Sequence, residues 1–237
     1  MVSGKTIDGY ISGAQVFFDV NFNQRLDAGE YSAITDSSGT FEIKVNDSDL
    51  ACVNARPIVA NIPIGAEDST LGTVTKAYQM LLPSVNDAGS NKLVISPFTS
   101  LIGEAILKGK NEADLTEDIS VYEGCQLQGD QVASKISQEV ASLISHIENT
   151  YDISMNDLVA DFIADEGSSN ITEGIAQKVA AFFPSYSEIK KEISSELSIR
   201  YGKDVTPNVS LSKDSLNAIL QSGEFTKLPL EFFSVYK

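Results

Sequence analysis

The sequence predicts an α+β protein, with an N-terminal β-sandwich over residues 1–96 followed by an α-helical domain over 97–237. Three observations predict it. Short β-prone segments are punctuated by turn residues at intervals of about ten, as in all-β sandwiches. From Pro97 the apolar period changes from two to 3.6. Between two of the β-prone segments lies Asp19-Val20-Asn21-Phe22-Asn23-Gln24-Arg25-Leu26-Asp27-Ala28-Gly29-Glu30, an acidic loop with strand-like flanks.

Segments 6–11, 15–18, 31–35 and 40–45 are expected as the first strands. Phe41-Glu42-Ile43-Lys44-Val45 alternates apolar and charged residues, the pattern of a half-buried strand. Asp36-Ser37-Ser38-Gly39 supplies turn chemistry before it. Segments 56–64, 77–82 and 92–96 are the next strands, with loops over 65–75 and 85–91. Pro97 suits the first turn of a helix over 98–108. The strongest helix runs over 130–150, where Val132, Ile136, Val140, Leu143, Ile144 and Ile147 share one stripe. Capping-box spacing at Ser154/Asp157, Asn170/Glu173 and Ser185/Glu188 predicts helices to about 164, 183 and 201, and a last one covers 213–221. Residues 116–129 read as irregular.

The chain has 237 residues, 42% of them apolar, and a formal charge of −16. That is enough sequence for two cores. A field of this sign repels phosphate backbones and anionic lipid, which argues against nucleic-acid binding. It suits an exported protein or one that collects divalent cations. No apolar run approaches the ~18 residues that span a bilayer. Met1-Val2-Ser3-Gly4-Lys5-Thr6 has no apolar signal-peptide region, so any export signal is expected outside this chain. Cys52 and Cys125 allow either one disulfide in an oxidising compartment or two small buried thiols. Spacing alone does not choose between them.

The acidic loop carries the clearest chemistry. Asp19, Asn21, Asn23, Asp27 and Glu30 occupy positions 1, 3, 5, 9 and 12 of a twelve-residue window, and position 7 offers the carbonyl of Arg25. That is the oxygen spacing of an EF-hand calcium loop, where a hard dication takes six to eight oxygens at about 2.3–2.6 Å. Position 6 departs from the pattern, with Gln24 where the EF-hand has glycine. The flanks are strands, so the expectation is Ca2+ in a β-hairpin loop. Asp36 offers one more oxygen if its hairpin folds back over the loop, and an Asx turn is the commoner reading of such a residue.

No catalytic constellation is expected. His146 stands alone at the edge of a helical stripe, and there is no nucleophile elbow or phosphate-cradling glycine loop. With 33 acidic residues, carboxylate pairs carry no signal. The aromatic residues Phe182, Phe183, Phe232, Phe233 and Tyr236 read as core.

The segments Asp8-Gly9-Tyr10 through Asp19, the acidic loop, and Thr35-Asp36-Ser37-Ser38-Gly39-Thr40-Phe41 together resemble one module type. They are similar to the prealbumin-like β-sandwich modules of bacterial surface proteins, the Cna-B/SdrD-B-like and carboxypeptidase-regulatory-like group. The likeness covers about residues 4–46 and thins towards 96. Ser96-Pro97-Phe98-Thr99-Ser100-Leu101 resembles a helix start that follows such modules in large exported proteins. The resemblance implies an Ig/prealbumin-like fold and a non-enzymatic, calcium-stabilised cell-surface or adhesin-type unit with an unidentified surface ligand or protein partner. It also implies an isopeptide bond in some members. Lys5 and Asn91 are the positions such a bond would need here, and their spacing gives it no support. The alternative function is a ligand-binding module, for glycan or peptide, using the cleft between the two parts.

Overall fold

A computed structural model describes residues 1–89, 93–113, 119–164, 208–211 and 233–236, together with the single positions 188, 195 and 199. It is a mixed α+β structure in which three small sheets come first and helices follow.

Strand β1 (Val2–Thr6) is the centre of the first sheet. It pairs antiparallel with β5 (Thr40–Ile43) and parallel with β10 (Leu93–Ile95). The second sheet is antiparallel, in the order β4 (Ser32–Ile34), β3 (Gln15–Phe18), β6 (Ile58–Ile62), β9 (Tyr78–Leu82). Val16, Phe17 and Phe18 are all buried, as are Ile58, Val59 and Ala60. Such continuous apolar runs belong to strands covered on both faces. The third sheet is small and joins β2 (Ile11–Ser12) to the hairpin of β7 (Glu67–Asp68) and β8 (Gly72–Thr73).

Three sequence expectations are corrected in this half. The segment 6–11 is not one strand: it turns at Asp8-Gly9, closing an Ile7–Tyr10 bridge, and passes from the first sheet to the third. Asp68 stabilises that turn by accepting from Gly9 N (3.3 Å), and Ser69 Oγ accepts from Tyr10 N (2.8 Å). The loop expected over 65–75 contains the β7–β8 hairpin. Within 85–91 lies α2 (Val85–Ala88), capped by Ser84. A further short helix, α1 (Leu50–Asn54), carries Cys52.

The expected helix over 98–108 is two helices, α3 (Pro97–Ser100) and α4 (Gly103–Glu112). Ser96 and Thr99 form a reciprocal capping box at the first. Residues 116–129 are not wholly irregular, because α5 (Val121–Gln126) carries Cys125 and has a capping box of Ser120 and Glu123. Helix α6 (Gln131–Tyr151) is the long amphipathic helix anticipated, burying Val132, Ile136, Val140, Leu143 and Ile147. Helix α7 (Met155–Leu158) starts at the Ser154/Asp157 box but stops after four residues. Positions 188, 195 and 199 are helical, inside the helix expected over 185–201. The rest of that segment, the helix ending near 183 and the one over 213–221 lie outside the described residues. So do Asn91, Phe182, Phe183 and Phe232. The part expected to be α-helical over 97–237 is not helical throughout: strands β11 (Asn208–Leu211) and β12 (Phe233–Tyr236) form an antiparallel pair beside α4.

One apolar cluster runs from Ile7 on the sheets to Phe162 after α7. Phe98 and Phe162 meet edge to face with centroids 5.7 Å apart, a favourable quadrupole geometry. The α4–α6 crossing depends on Gly109. A Cβ there would stand 2.5 Å from Ile136 Cα, so the helices touch through backbone. Alanine at an open helix position gains about 0.5–1 kcal/mol over glycine. At this crossing the clash should win, and Gly109→Ala is expected to cost about 1–3 kcal/mol in chemical denaturation. A stabilised Gly109→Ala protein would refute the close crossing.

Candidate metal centre

The acidic loop connects β3 to β4, as the strand-like flanks predict. Its ends are tied by the β3–β4 ladder, by Phe18 N on Tyr31 O (3.1 Å) and by Asp19 N on Pro57 O (2.9 Å). Asp19 therefore enters the loop from a fixed strand end, with its carboxylate 1% exposed. Its Oδ1 accepts from Asn23 N (2.8 Å) and its Oδ2 from Gln24 N (3.0 Å), so position 1 organises the backbone of positions 5 and 6.

Gln24 resolves the departure at position 6. Its φ is 60°, the left-handed conformation that the EF-hand glycine supplies, and Phe22 has φ 62°. An L-residue pays about 1–2 kcal/mol for that conformation. Here the Asp19 carboxylate holds Gln24 in it through the amide.

Glu30 closes the loop from the other end. Its Oε1 accepts from Val20 N (2.8 Å) and its Oε2 from Asp27 N (3.0 Å). Asp27 Oδ2 accepts from both Asn21 Nδ2 (2.9 Å) and Asn23 Nδ2 (2.6 Å). Asn23 Oδ1 accepts from Arg25 N (2.8 Å). Arg25 is exposed at the tip, with its carbonyl at position 7 of the ligand spacing. Asn21 is buried, and its Oδ1 has no hydrogen-bond partner, which leaves one carbonyl oxygen inside the loop without a donor.

Burial pushes the Asp19 carboxyl up to about 7, against the two backbone amides that favour its charged form. The Glu30 carboxylate raises it further and the Lys110 ammonium lowers it. Burial also pushes Glu30 up to about 7. Two carboxylates this reluctant to ionise, beside an amide oxygen lacking a donor, form a donor set that fits a hard dication. Among the described residues no three His, Cys, Asp or Glu side chains gather closely enough to hold an ion by themselves. A cation would accordingly depend on the oxygens of Asn21, Asn23 and Arg25 as well as on Asp19, Asp27 and Glu30. Asp36 is not among them: its Oδ1 accepts from Ser38 N (2.8 Å) and Thr40 N (3.0 Å) in its own turn.

Sequence reasoning missed the groups that reach the loop from afar. Ile119 O accepts from Asn21 Nδ2 at 2.7 Å. Lys110, 4% exposed, donates from Nζ to Phe22 O at 3.0 Å. Arg56, 1% exposed, lies with its guanidinium 5.2 Å from the Phe22 ring centroid and donates to Gly124 O (2.8 Å) and Asp130 Oδ1 (2.9 Å). These partners lie tens of residues from the loop in sequence, and no local pattern marks them. Cys52 and Cys125 are bridged, with Cα atoms 5.8 Å apart.

Two other groups have structural roles. Tyr78 Oη donates to Asp8 Oδ2 (3.0 Å), and burial pushes the Asp8 carboxyl up to about 7. Lys5 Nζ is 2.8 Å from Asp161 Oδ2 and 4.6 Å from the Tyr10 ring centroid, so its ammonium is engaged with the helical half. His146 is half-buried at the edge of the α6 stripe, where the projection placed it.

Comparison of the chain with protein-family models, with curated proteins and with solved structures gave no match.

Proposed function

We propose that this chain is a non-enzymatic structural module of an exported bacterial cell-surface or adhesin-type protein. In this reading the N-terminal sheets form an Ig/prealbumin-like β-sandwich braced by one Ca2+. Asp19, Asn21, Asn23, Asp27, Glu30 and the Arg25 carbonyl would hold the ion. The observation that carries the reading is the closed β3–β4 loop, with its buried Asp19 carboxylate and the unpartnered Asn21 Oδ1. Calcium bound only by the folded form would add stability and neutralise the loop's acidic groups. The Cys52–Cys125 bridge supports an oxidising compartment outside the cytosol. No helix among the described residues is long and apolar enough to cross a membrane. The partner would be a surface ligand or protein that engages the module without turnover.

Thermal melts with calcium and with EDTA test the reading. Extracellular sites bind around 0.1–1 mM, and a tenfold excess over Kd stabilises by about 1.4 kcal/mol. For a chain of this size that corresponds to about 3–6 °C. Asp19→Ala and Glu30→Ala should each remove the calcium-dependent rise. Glu30→Ala should also lower the EDTA baseline, since it strips acceptors from Val20 N and Asp27 N. A melting curve indifferent to calcium in the wild type would sink the proposal.

A further inference from the structure

The acidic loop is roofed by the helical half, and the roof is bolted down by the disulfide. Gly124, on α5 next to Cys125, lies so close to the loop that a Cβ there would stand 2.7 Å from Val20 O. Just before α5, Ile119 O accepts from Asn21 Nδ2 at 2.7 Å, and together with Asp27 Oδ2 (2.9 Å) it orients the position-3 amide. On the other flank, Lys110 at the end of α4 holds Phe22 O. Arg56 spans the same contact, stacked on Phe22 while donating to Gly124 O. Cys52 on α1 is thus joined to a helix whose neighbouring residues shape positions 2 and 3 of the loop.

We infer that the Cys52–Cys125 disulfide is a redox control on the cation affinity of the acidic loop. With the bridge formed, α5 is held against Val20 and Asn21, and the ligand loop is preorganised. A dithiol reductant would transfer two electrons and two protons to the bridge. The Sγ–Sγ bond breaks, each sulfur leaves as a thiol, and the reductant closes to its own cyclic disulfide. Freed from α1, α5 and the Ile119 segment that leads into it no longer press on Val20 and hold the Asn21 amide from outside the loop, and more of the ordering then falls to the incoming ion. Preorganisation lost in this way appears as weaker binding. The coupling must be reciprocal: whatever factor the bridge adds to cation affinity, the cation adds to the resistance of the bridge to reduction. This inference rests on the calcium-brace reading above.

Two measurements on the full chain test it. Equilibrium dialysis with Ca2+ alone should show at least tenfold weaker uptake by the dithiol-reduced protein than by the oxidised one. Titration against a dithiol/cyclic-disulfide couple, read by thiol alkylation, should then place the bridge about 30 mV more negative in saturating calcium than in EDTA for a tenfold coupling. Gly124→Ala keeps the bridge intact and carries the test if the reduced chain unfolds. Its added methyl group meets Val20 O, and tenfold weaker uptake is expected. Equal affinity in oxidised, reduced and Gly124→Ala proteins, with an unmoved midpoint, would overturn the coupling while leaving the calcium brace standing. An oxidised protein that takes up no calcium would overturn both.

Discussion

Replacing Cys52 and Cys125 by serine is expected to lower the unfolding free energy in EDTA by at least about 4.5 kcal/mol. The bridge spans 73 residues. Closing a loop of that length removes enough unfolded-state entropy to stabilise the fold by about 4.5 kcal/mol at 25 °C. Both cysteines also pack against the apolar cluster, so serine hydroxyls lose contact area there. Guanidinium denaturation should show the lower midpoint together with a steeper m-value, because the uncrosslinked chain exposes more surface on unfolding. Working in EDTA separates this chain-entropy effect from any loss of cation affinity. A difference below about 1 kcal/mol would mean that the chain between the cysteines stays compact when unfolded.

The metal-free protein is expected to lose stability as pH rises from about 4 to about 7. Asp19 has an ordinary carboxyl pKa of 3.8 when unfolded and about 7 when folded, raised by burial. The folded form therefore binds the proton more tightly. Below pH 4 both states are protonated and no penalty exists. As pH rises the unfolded chain ionises first, and the loss is complete once pH exceeds the folded value. A shift of this size corresponds to about 4 kcal/mol for Asp19. Glu30 and Asp8 shift in the same direction, also through burial. Denaturant midpoints in EDTA at pH 5 and 7.5 measure the loss, and Asp19→Asn should reduce it by removing one titrating group. Millimolar calcium should flatten the decline, since the ion takes over from the protons. Metal-free stability that climbs between pH 5 and 7.5 would contradict a buried Asp19.

How much was legible in the sequence depends on the range of the interaction concerned. Strand β3 and helix α6 lie where their apolar patterns place them, because two-residue and 3.6-residue periods are local properties. Helices α2 and α5 had a local signal too, in Ser84/Asp87 and Ser120/Glu123, short enough to be taken as loop composition. The break between α3 and α4 and the change of sheet at Asp8-Gly9 had weaker local signals. They depend on which neighbours the chain meets, Asp68 and Ser69 in the second case. Gln24 shows the limit most clearly. By residue type it is unsuited to the sixth position of a calcium loop, yet the Asp19 carboxylate holds its amide and draws it into the left-handed region.

The change from strands to helices near Pro97 and the oxygen spacing from Asp19 to Glu30 were legible locally, because both are written in residues close along the chain, whereas the β11–β12 pair was not. The bridging of Cys52 to Cys125, the burial of Asp19, and the roof of Ile119, Lys110 and Gly124 over the loop were decided only by tertiary structure. Those contacts join residues roughly seventy to a hundred positions apart, where geometry depends on how sheets and helices pack and not on any local pattern.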